Sequence, residues 1–343
     1  MVGKGGLLSA FSKLPLPKTA KGSEAFSAQT IEQSSPHRIG KDAEGKPAIL
    51  ITASDATGGD APLYPVALEH ISVRYNVLCQ VADPEMPPKQ GRFVVIRCES
   101  HESELMEYFL RTMEVHIPFV GPTPSCNQVA DMVEKLIELF RALSQPSKFS
   151  VQGLWAELLI IAESSDSQLL LRSWHAAPED RYDFSAGKHC VEVKSASGQT
   201  RIHHFSLEQL NPSPGTVALV VSLFVEGSAD GLTVPELMDK IRTRIRDRDL
   251  LAHLHRNVTL TLASDWRQAA SLKFDQRLAK RSLRVFDVGK IPSVSWPVPP
   301  DVTEVKFKAN LSRTQAHDIS SLATEGGLFA ALAQLAPASP VSV

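Results

Sequence analysis

The chain has 343 residues, 43% of them hydrophobic, and a formal net charge of -2 at pH 7. This length and apolar content support one large domain or two medium ones with real cores, and they exclude a disordered protein. They also exclude a globally basic surface, so any contact with a polyanion has to come from a local patch.

Residues 1–46 are rich in Lys, Ser, Gly and Pro and are expected to form a poorly ordered or irregular start. Residues 47–146 read as an N-terminal domain of strands followed by helices, suited to assembly or substrate positioning. Stretches 47–52, 68–77 and 92–97 carry β-branched or alternating patterns between turn-rich segments, which predicts a small antiparallel sheet. Helices are expected over 103–115 and 127–143. In the second, Val129, Met132, Val133, Leu136, Phe140 and Leu143 form a stripe that belongs to a core. Pro146 ends that helix, and 144–148 is the expected junction to a second domain.

The next predicted helix spans 150–164. Its run Gly153-Leu-Trp-Ala-Glu-Leu-Leu-Ile-Ile-Ala162 is apolar except at Glu157, which lies three residues after Leu154 and four before Ile161, on their stripe. A lone acid there either meets an arginine on an opposing surface or is aimed into a cleft. Strands are expected at 168–174, 181–184 and 189–195.

The last two of these carry the most informative residues. In Arg181-Tyr-Asp-Phe-Ser-Ala-Gly-Lys-His-Cys-Val-Glu-Val-Lys194, a hairpin turning at Gly187-Lys188, glycine first as a type II′ turn requires, places Phe184 opposite Val191 and Asp183 opposite Glu192. Like charges so placed repel, so something positive should sit between them. Alternation puts Glu192 and Lys194 on that face, with Val191 and Val193 turned to a core. Two carboxylates and an ammonium then converge on one point, a donor set for a hard divalent cation such as Mg2+ beside a polarised water. Glu-x-Lys occurs three times in the chain. Glu44-Gly-Lys46 has no strand before it, and Glu304-Val-Lys306 has only Asp301 nearby, too close for a hairpin to place it opposite, so neither reads as a site. Cys190 lies beside His189 but shares a face with the carboxylates, which disfavours a thiolate.

A link through 201–205, a helix at 206–210 and a strand at 216–226 follow. The strand is almost continuously apolar, as expected of one covered on both faces. Ser206 and Gln209 have capping-box spacing. A helical section from Pro235 includes Lys240, Arg242, Arg244, Arg246 and Arg248 interleaved with Asp239, Asp247 and Asp249. Its two-residue step spreads the bases around the helix and lets the aspartates pair with them, so a solvated face is expected. The four cysteines, Cys79, Cys98, Cys126 and Cys190, form no Cys-x-x-Cys pair, which argues against zinc or disulfides and fits a reducing cytosol. With no secretory signal and no run of roughly 18 apolar residues, a cytoplasmic protein with no membrane contact is expected.

The order Gly-Leu-x-x-Glu157, Asp183-Phe, Glu192-Val-Lys-Ser195 and Arg201-x-His-His-Phe-Ser-x-Glu-Gln-Leu210 resembles the PD-(D/E)XK nuclease family of bacterial proteins, within the restriction-endonuclease-like superfamily. The likeness is densest from Gly153 to Glu226 and extends more weakly through Val285-Phe-Asp-Val, Ile291-Pro and Glu304-Val-Lys-Phe307. Tyr182 stands where the motif's name has proline, a position that is dispensable in the superfamily. The resemblance implies an α/β (α+β) fold with an αβββαβ core at 147–230 and a C-terminal α/β extension at 231–343 packing on it.

It further implies hydrolysis of a nucleic-acid phosphodiester, with DNA as the favoured substrate, in a bacterial restriction or anti-phage locus. Expected partners are a helicase-like ATPase, a GHKL/MORC-type ATPase or a DNA methyltransferase, with the oligomeric state open. Asp183, Glu192, the Val193 carbonyl and Glu157 would hold Mg2+, with Mn2+ as a substitute. Lys194 would orient or deprotonate the attacking water. Arg201, His203 and His204 would contact phosphate, and Ser195 and Gln209 would assist positioning; ordinary packing and capping are the alternatives for these residues. The competing function is a catalytically silent subunit that docks a partner or binds DNA. Retention of the repulsive pair Asp183 and Glu192, together with Lys194, argues against silence.

Overall fold

The computed structural model describes residues 6–17, 24–31, 36–54, 64–83, 86–147, 150–177, 179–294, 299, 301–302 and 304–335. The chain divides into two compact units, Met1–Gln145 and Pro146–Val343. The expected junction at 144–148 straddles this division, with Lys148 outside the described residues. Among the described residues no helix is long and apolar enough to cross a membrane.

The first unit begins with helix α1 (Gly6–Ser12), followed by strands β1 (Glu24–Thr30), β2 (Arg38–Lys41), β3 (Pro47–Ile51), β4 (Val66–Ala67), β5 (Ile71–Asp83) and β6 (Met86–Cys98). Their order is β1-β2-β3-β6-β5-β4, and β1 also pairs in parallel with β5, so five strands close into a ring. This corrects two expectations. The 1–46 segment is not irregular where it is described, because it supplies α1, β1 and β2. The sheet is not a small antiparallel one, because β1 closes it and leaves no edge between β1 and β5. Phe26, Ala28, Ala48, Leu50 and Cys79 fill its interior.

Helices α2 (Ser103–Val120) and α3 (Cys126–Ala142) complete this unit. The first runs past the expected end at 115 and through Pro118. The second starts on a capping box between Ser125 and Gln128 and buries Val129, Met132, Val133, Leu136 and Phe140, the predicted stripe.

The second unit opens with α4 (Val151–Glu163), started by Ser150, whose hydroxyl accepts from Gly153 N at 3.0 Å. Nine of its thirteen residues are buried, so it is an interior helix. In place of the strand expected over 168–174, helix α5 (Ser167–Ser173) forms, started by the Asp166 carboxylate, which caps Leu169 N at 2.9 Å. The first strand of the expected αβββαβ order is thereby reduced to one bridge, Trp174 to Phe184.

Strands β7 (Phe184–Ala186) and β8 (His189–Ala196) form the predicted hairpin, with Phe184 opposite Val191. Gly187 carries the required positive φ of 59° at the turn. Strand β9 (Ile202–Ser206) leads into α6 (Leu207–Leu210), and β10 (Val217–Phe224), buried over six consecutive residues, lies parallel to β8.

The chain continues through β11 (Gly227–Leu232), α7 (Val234–Arg242), α8 (Arg248–Leu262), α9 (Trp266–Ser271), α10 (Gln276–Ser282), β12 (Arg284–Asp287), β13 (Lys306–Asn310) and α11 (Gly327–Leu332). The core sheet has the order β12-β10-β8-β7, while β9 leaves it to pair with β13. The segment from 231 onward is therefore no extension packed on a finished core. It supplies an edge strand of the sheet and the only ladder partner of β9 among the described residues.

Trp155, fully buried, anchors this unit by donating from Nε1 to the Leu232 carbonyl at 2.8 Å and packing 5.4 Å from the Phe274 ring. Gly231 lies so near the Phe274 backbone that a Cβ there would land on its carbonyl. Gly231→Ala is expected to lower the unfolding free energy by about 1–3 kcal/mol in chemical denaturation. An unchanged midpoint would mean that the Phe274 segment yields freely.

Candidate metal centre

Three elements deliver acids to one place. On α4, Glu157 is the residue among the apolar turns that is not buried against the core, and its side chain is 14% exposed. Its Oε2 accepts from Trp174 Nε1 at 2.8 Å and His175 Nε2 at 3.2 Å. Its partners are therefore an indole and an imidazole, where an arginine was the alternative expected from sequence. Beyond the Trp174–Phe184 bridge, His175 N donates to the Asp183 carbonyl at 2.9 Å, which fixes Asp183 beside it.

Asp183 lies one residue before β7, where backbone pairing with β8 has ended. Its Oδ2 accepts from Val193 N at 2.6 Å, so a side chain extends the ladder and holds the carboxylate over β8. Glu157, His175 and Asp183 each offer a ligand atom within 4.8 Å of the others.

Glu192 is 3% exposed. Its Oε1 accepts from Lys194 Nζ at 2.5 Å and Gln209 Nε2 at 2.7 Å, while its Oε2 is buried and has no hydrogen-bond partner. Gln209 fulfils both expectations at once: Oε1 accepts from Ser206 N in the capping box, and Nε2 holds Glu192 and the Arg181 carbonyl. Backbone pairing ends at Phe184–Val191, one residue short of the predicted Asp183–Glu192 pair, yet the Glu192 carboxylate acts on Asp183 and their positive neighbour sits on one side only. Lys194 neutralises a single oxygen of Glu192.

The electrostatics follow from that imbalance. Burial, together with the Glu192 and Glu157 carboxylates, raises the Asp183 pKa well above the usual range against the opposing pull of Lys194 and Val193 N–H. Burial and Glu157 raise Glu192 as well, with Lys194 and Gln209 opposing. For Lys194, burial favours the neutral amine, but Glu192, Asp183 and Glu157 outweigh it and raise the pKa. Lys194 is consequently an ammonium that donates to Glu192.

These side chains line a cavity of about 720 Å³ that also includes Val193, Ser195, His203, His204 and Gln209. Ser195 Oγ accepts from Gln152 Nε2 at 3.1 Å. Two of the proposed phosphate contacts are corrected. Arg201 is turned inward: Nη1 donates to Ser222 O and Oγ, both at 2.8 Å, and Nη2 to the Ser282 carbonyl. His203 is 3% exposed and hydrogen-bonded to Ser222 Oγ at 2.8 Å, and burial pushes its pKa down to about 4, so it is neutral. His204 is exposed and lines the cavity.

Glu304 and Lys306, set aside on sequence grounds, line the same cavity. His175 and Trp174 were missed altogether. The signal that could have found them is the Ser-Ser-Asp166 cap, which turns 167–173 into a helix and leaves Trp174-His175 at its exit. Of the interleaved charges from Lys240 onward, Arg242 pairs with Asp239 at 3.5 Å as expected, whereas Lys240 reaches across to Glu163 of α4 at 2.5 Å and is not part of a purely solvated face.

The donor set fits a hard divalent cation. It offers carboxylate oxygens, an unsatisfied buried Glu192 Oε2, and an excess of negative charge.

Raised carboxyl pKa values mean that the folded state binds more protons than the unfolded state. Metal-free stability should therefore fall as pH climbs above the ordinary carboxylate range of about 4. Thermal melts are expected to show this fall, and a Mg2+ increment that grows over the same climb. Asp183→Asn, which keeps an acceptor for Val193 N, should melt higher than wild type without metal and lose the increment. A variant destabilised equally with and without Mg2+ would make the aspartate purely structural.

No curated protein and no solved structure matches the chain. A family model described as "Putative PD-(D/E)XK family member, (DUF4420)" matches residues 7–312, which span both units and every site residue named above. With most of its length matched and an acid, an acid and a lysine brought together at Asp183, Glu192 and Lys194, the chain belongs to that PD-(D/E)XK family.

Proposed function

We propose that this protein is a Mg2+-dependent nuclease that hydrolyses DNA phosphodiester bonds, acting in the cytoplasm as the nuclease subunit of a bacterial restriction or anti-phage system. Membership of a PD-(D/E)XK family supports the reading. The observation that carries it is the convergence of Asp183, Glu192, Glu157 and Lys194 on one cavity, with a buried Glu192 oxygen left unpaired. A structural cluster would gain from satisfying that oxygen, because an unpaired buried acceptor costs about 1–3 kcal/mol.

Asp183, through the oxygen not committed to Val193, and Glu192, through Oε2, would hold the cation, with Glu157 completing the set directly or through water. The carboxylates suit Mg2+, and Mn2+ accepts the same oxygen ligands. Bound there, the cation supplies Lewis-acid charge beside the scissile phosphate.

Lys194 donates a hydrogen bond to the attacking water or to a non-bridging phosphate oxygen and holds the two in line. Gln209 holds Glu192 in place through Oε1. Trp174 and His175 do the same for Glu157, so the carboxylates face the cavity before substrate arrives. The phosphorus gains the water oxygen as its bond to one bridging oxygen breaks, the water's proton leaves to a carboxylate or to solvent, and the departing alkoxide takes a proton from solvent to leave as a hydroxyl.

Lys194→Ala is expected to abolish cleavage of plasmid DNA while leaving the fold and metal binding largely intact, whereas Asp183→Ala should lose both metal binding and activity. Equal cleavage rates in EDTA and in Mg2+ would sink the metal mechanism. A net charge of -2 also predicts weak intrinsic affinity for DNA. The purified chain should cut slowly and with little sequence preference, and addition of its helicase-like, GHKL/MORC-type or methyltransferase partner should accelerate it. Rapid, sequence-specific cleavage by the chain alone at physiological salt would contradict delivery by a partner.

A further inference from the structure

The ribbon formed by β9 and β13 has two unlike faces. Its register sets Phe205 opposite Phe307 and His203 opposite Ala309 on one face, and Ser206 opposite Lys306, His204 opposite Lys308 and Ile202 opposite Asn310 on the other. The first face turns inward. His203, Phe205 and Ala309 are buried, and the Lys194 ammonium lies 5.5 Å from the Phe205 ring, so this face abuts the catalytic lysine. On the second face Ile202, His204, Lys306, Lys308 and Asn310 are all exposed.

That outer face is continuous with the cavity wall. Ile202, His204, Ser206 and Lys306 line the cavity together with Asp183, Glu192 and Lys194, and Lys308 extends the same face beyond it. Neither Lys306 nor Lys308 has an ion-pair partner among the described residues. In this respect they differ from Lys194, Lys240 and Lys280, each of which is held by a carboxylate.

Two unneutralised lysines beside a pocket of crowded carboxylates answer a physical need. A phosphodiester entering the pocket meets repulsion from Asp183, Glu192 and Glu157, so positive charge at the rim has to draw and hold the phosphates on either side of the reacting one. A two-stranded ribbon is moreover an element that nucleic-acid duplexes accept in their grooves.

We infer that the outer face of the β9–β13 ribbon is the backbone grip of this enzyme, with Lys306 and Lys308 holding phosphates flanking the scissile one and His204, Asn310 and Ser206 donating hydrogen bonds alongside. This rests on the nuclease reading for its substrate class. Asymmetry is part of the assignment: the grip lies on one side of the pocket, so it fixes which stretch of backbone is held and which is presented. The contacts are to phosphate, so they confer affinity without sequence preference.

Binding is the test, measured by fluorescence anisotropy of a fluorescein-labelled 30-base-pair DNA duplex in EDTA, where no cleavage intervenes, over 25–200 mM KCl. The pair Lys306→Gln, Lys308→Gln is compared with wild type and with Arg246→Gln, Arg248→Gln, which removes the same charge from exposed positions elsewhere in this unit. The ribbon variant is expected to bind about tenfold or more weakly at 50 mM KCl, and its slope of log K against log salt should be shallower by about 1.8, or 0.9 per lost phosphate contact. The arginine control should stay within about twofold of wild type. Melting temperatures confirm that each variant is folded, and the single variants Lys306→Gln and Lys308→Gln, each expected to shift the slope by about 0.9, serve should the double variant fail to fold.

Equal slopes and affinities for wild type and folded ribbon variants would overturn the inference, as would a wild type that fails to bind the duplex at 25 mM KCl. The two readings separate cleanly. Ribbon-dependent binding by a chain that never cleaves in Mg2+ defeats the nuclease reading and keeps the grip, whereas cleavage with ribbon-independent binding does the reverse.

Discussion

Repulsion among three carboxylates that share one pocket with a single ammonium is the constraint around which the second unit is organised. Asp183, Glu192 and Glu157 come from a loop, a strand and a helix, and each is pinned by a neighbouring donor: Val193 N–H, Gln209 and the Trp174–His175 pair. Burial first, and then the repulsion that Lys194 only partly offsets, raises the Asp183 and Glu192 pKa values. Stability alone would not select this arrangement, because replacing one acid by an amide would relieve it. The strain makes sense when a cation completes the site, since binding energy is then released where the charge is densest.

Positioning depends on layers beyond the motif. Arg201 reaches under β10 to Ser222 and the Ser282 carbonyl, and His203 meets the same Ser222 hydroxyl, so the residues expected to touch phosphate instead tie β9 to the core sheet. Their inward neighbour Phe205 lies against Lys194. A ribbon fastened in this way sets the height of the pocket's wall relative to its floor. The pairing of β9 with β13, about a hundred residues later, makes the C-terminal part of the chain integral to the site.

Where local chemistry decides the outcome, the sequence is legible. Gly187 at the turn specifies the hairpin register, alternation assigns Glu192 and Lys194 to one face, and the α4 stripe singles out Glu157 as the lone acid of an apolar helix. The Ser206–Gln209 spacing announces its capping box. What distant pairing decides is not legible. Nothing local in Ile202-His-His-Phe205 states which histidine faces inward, because that choice is made by β13 on one side and Ser222 on the other. Residues 167–173 are apolar enough for a strand, and only the Asp166 cap tips them into a helix, which hides His175 from a reading that ends the element one residue earlier. In the first unit, closure of the ring depends on the parallel match of β1 with β5, a pairing between segments some fifty residues apart.

The central claim is that the Asp183–Glu192 pair exists to bind a divalent cation. The most direct measurement is the anomalous difference map of a crystal soaked in Mn2+, which identifies the ion by its own scattering. The account predicts a peak within about 2.0–2.6 Å of carboxylate oxygens of both Asp183 and Glu192, the range of metal–oxygen bonds for such ions. A fully substituted crystal with Mn2+ bound elsewhere, and with Glu192 Oε2 hydrogen-bonded to an ordered water in its place, would contradict it.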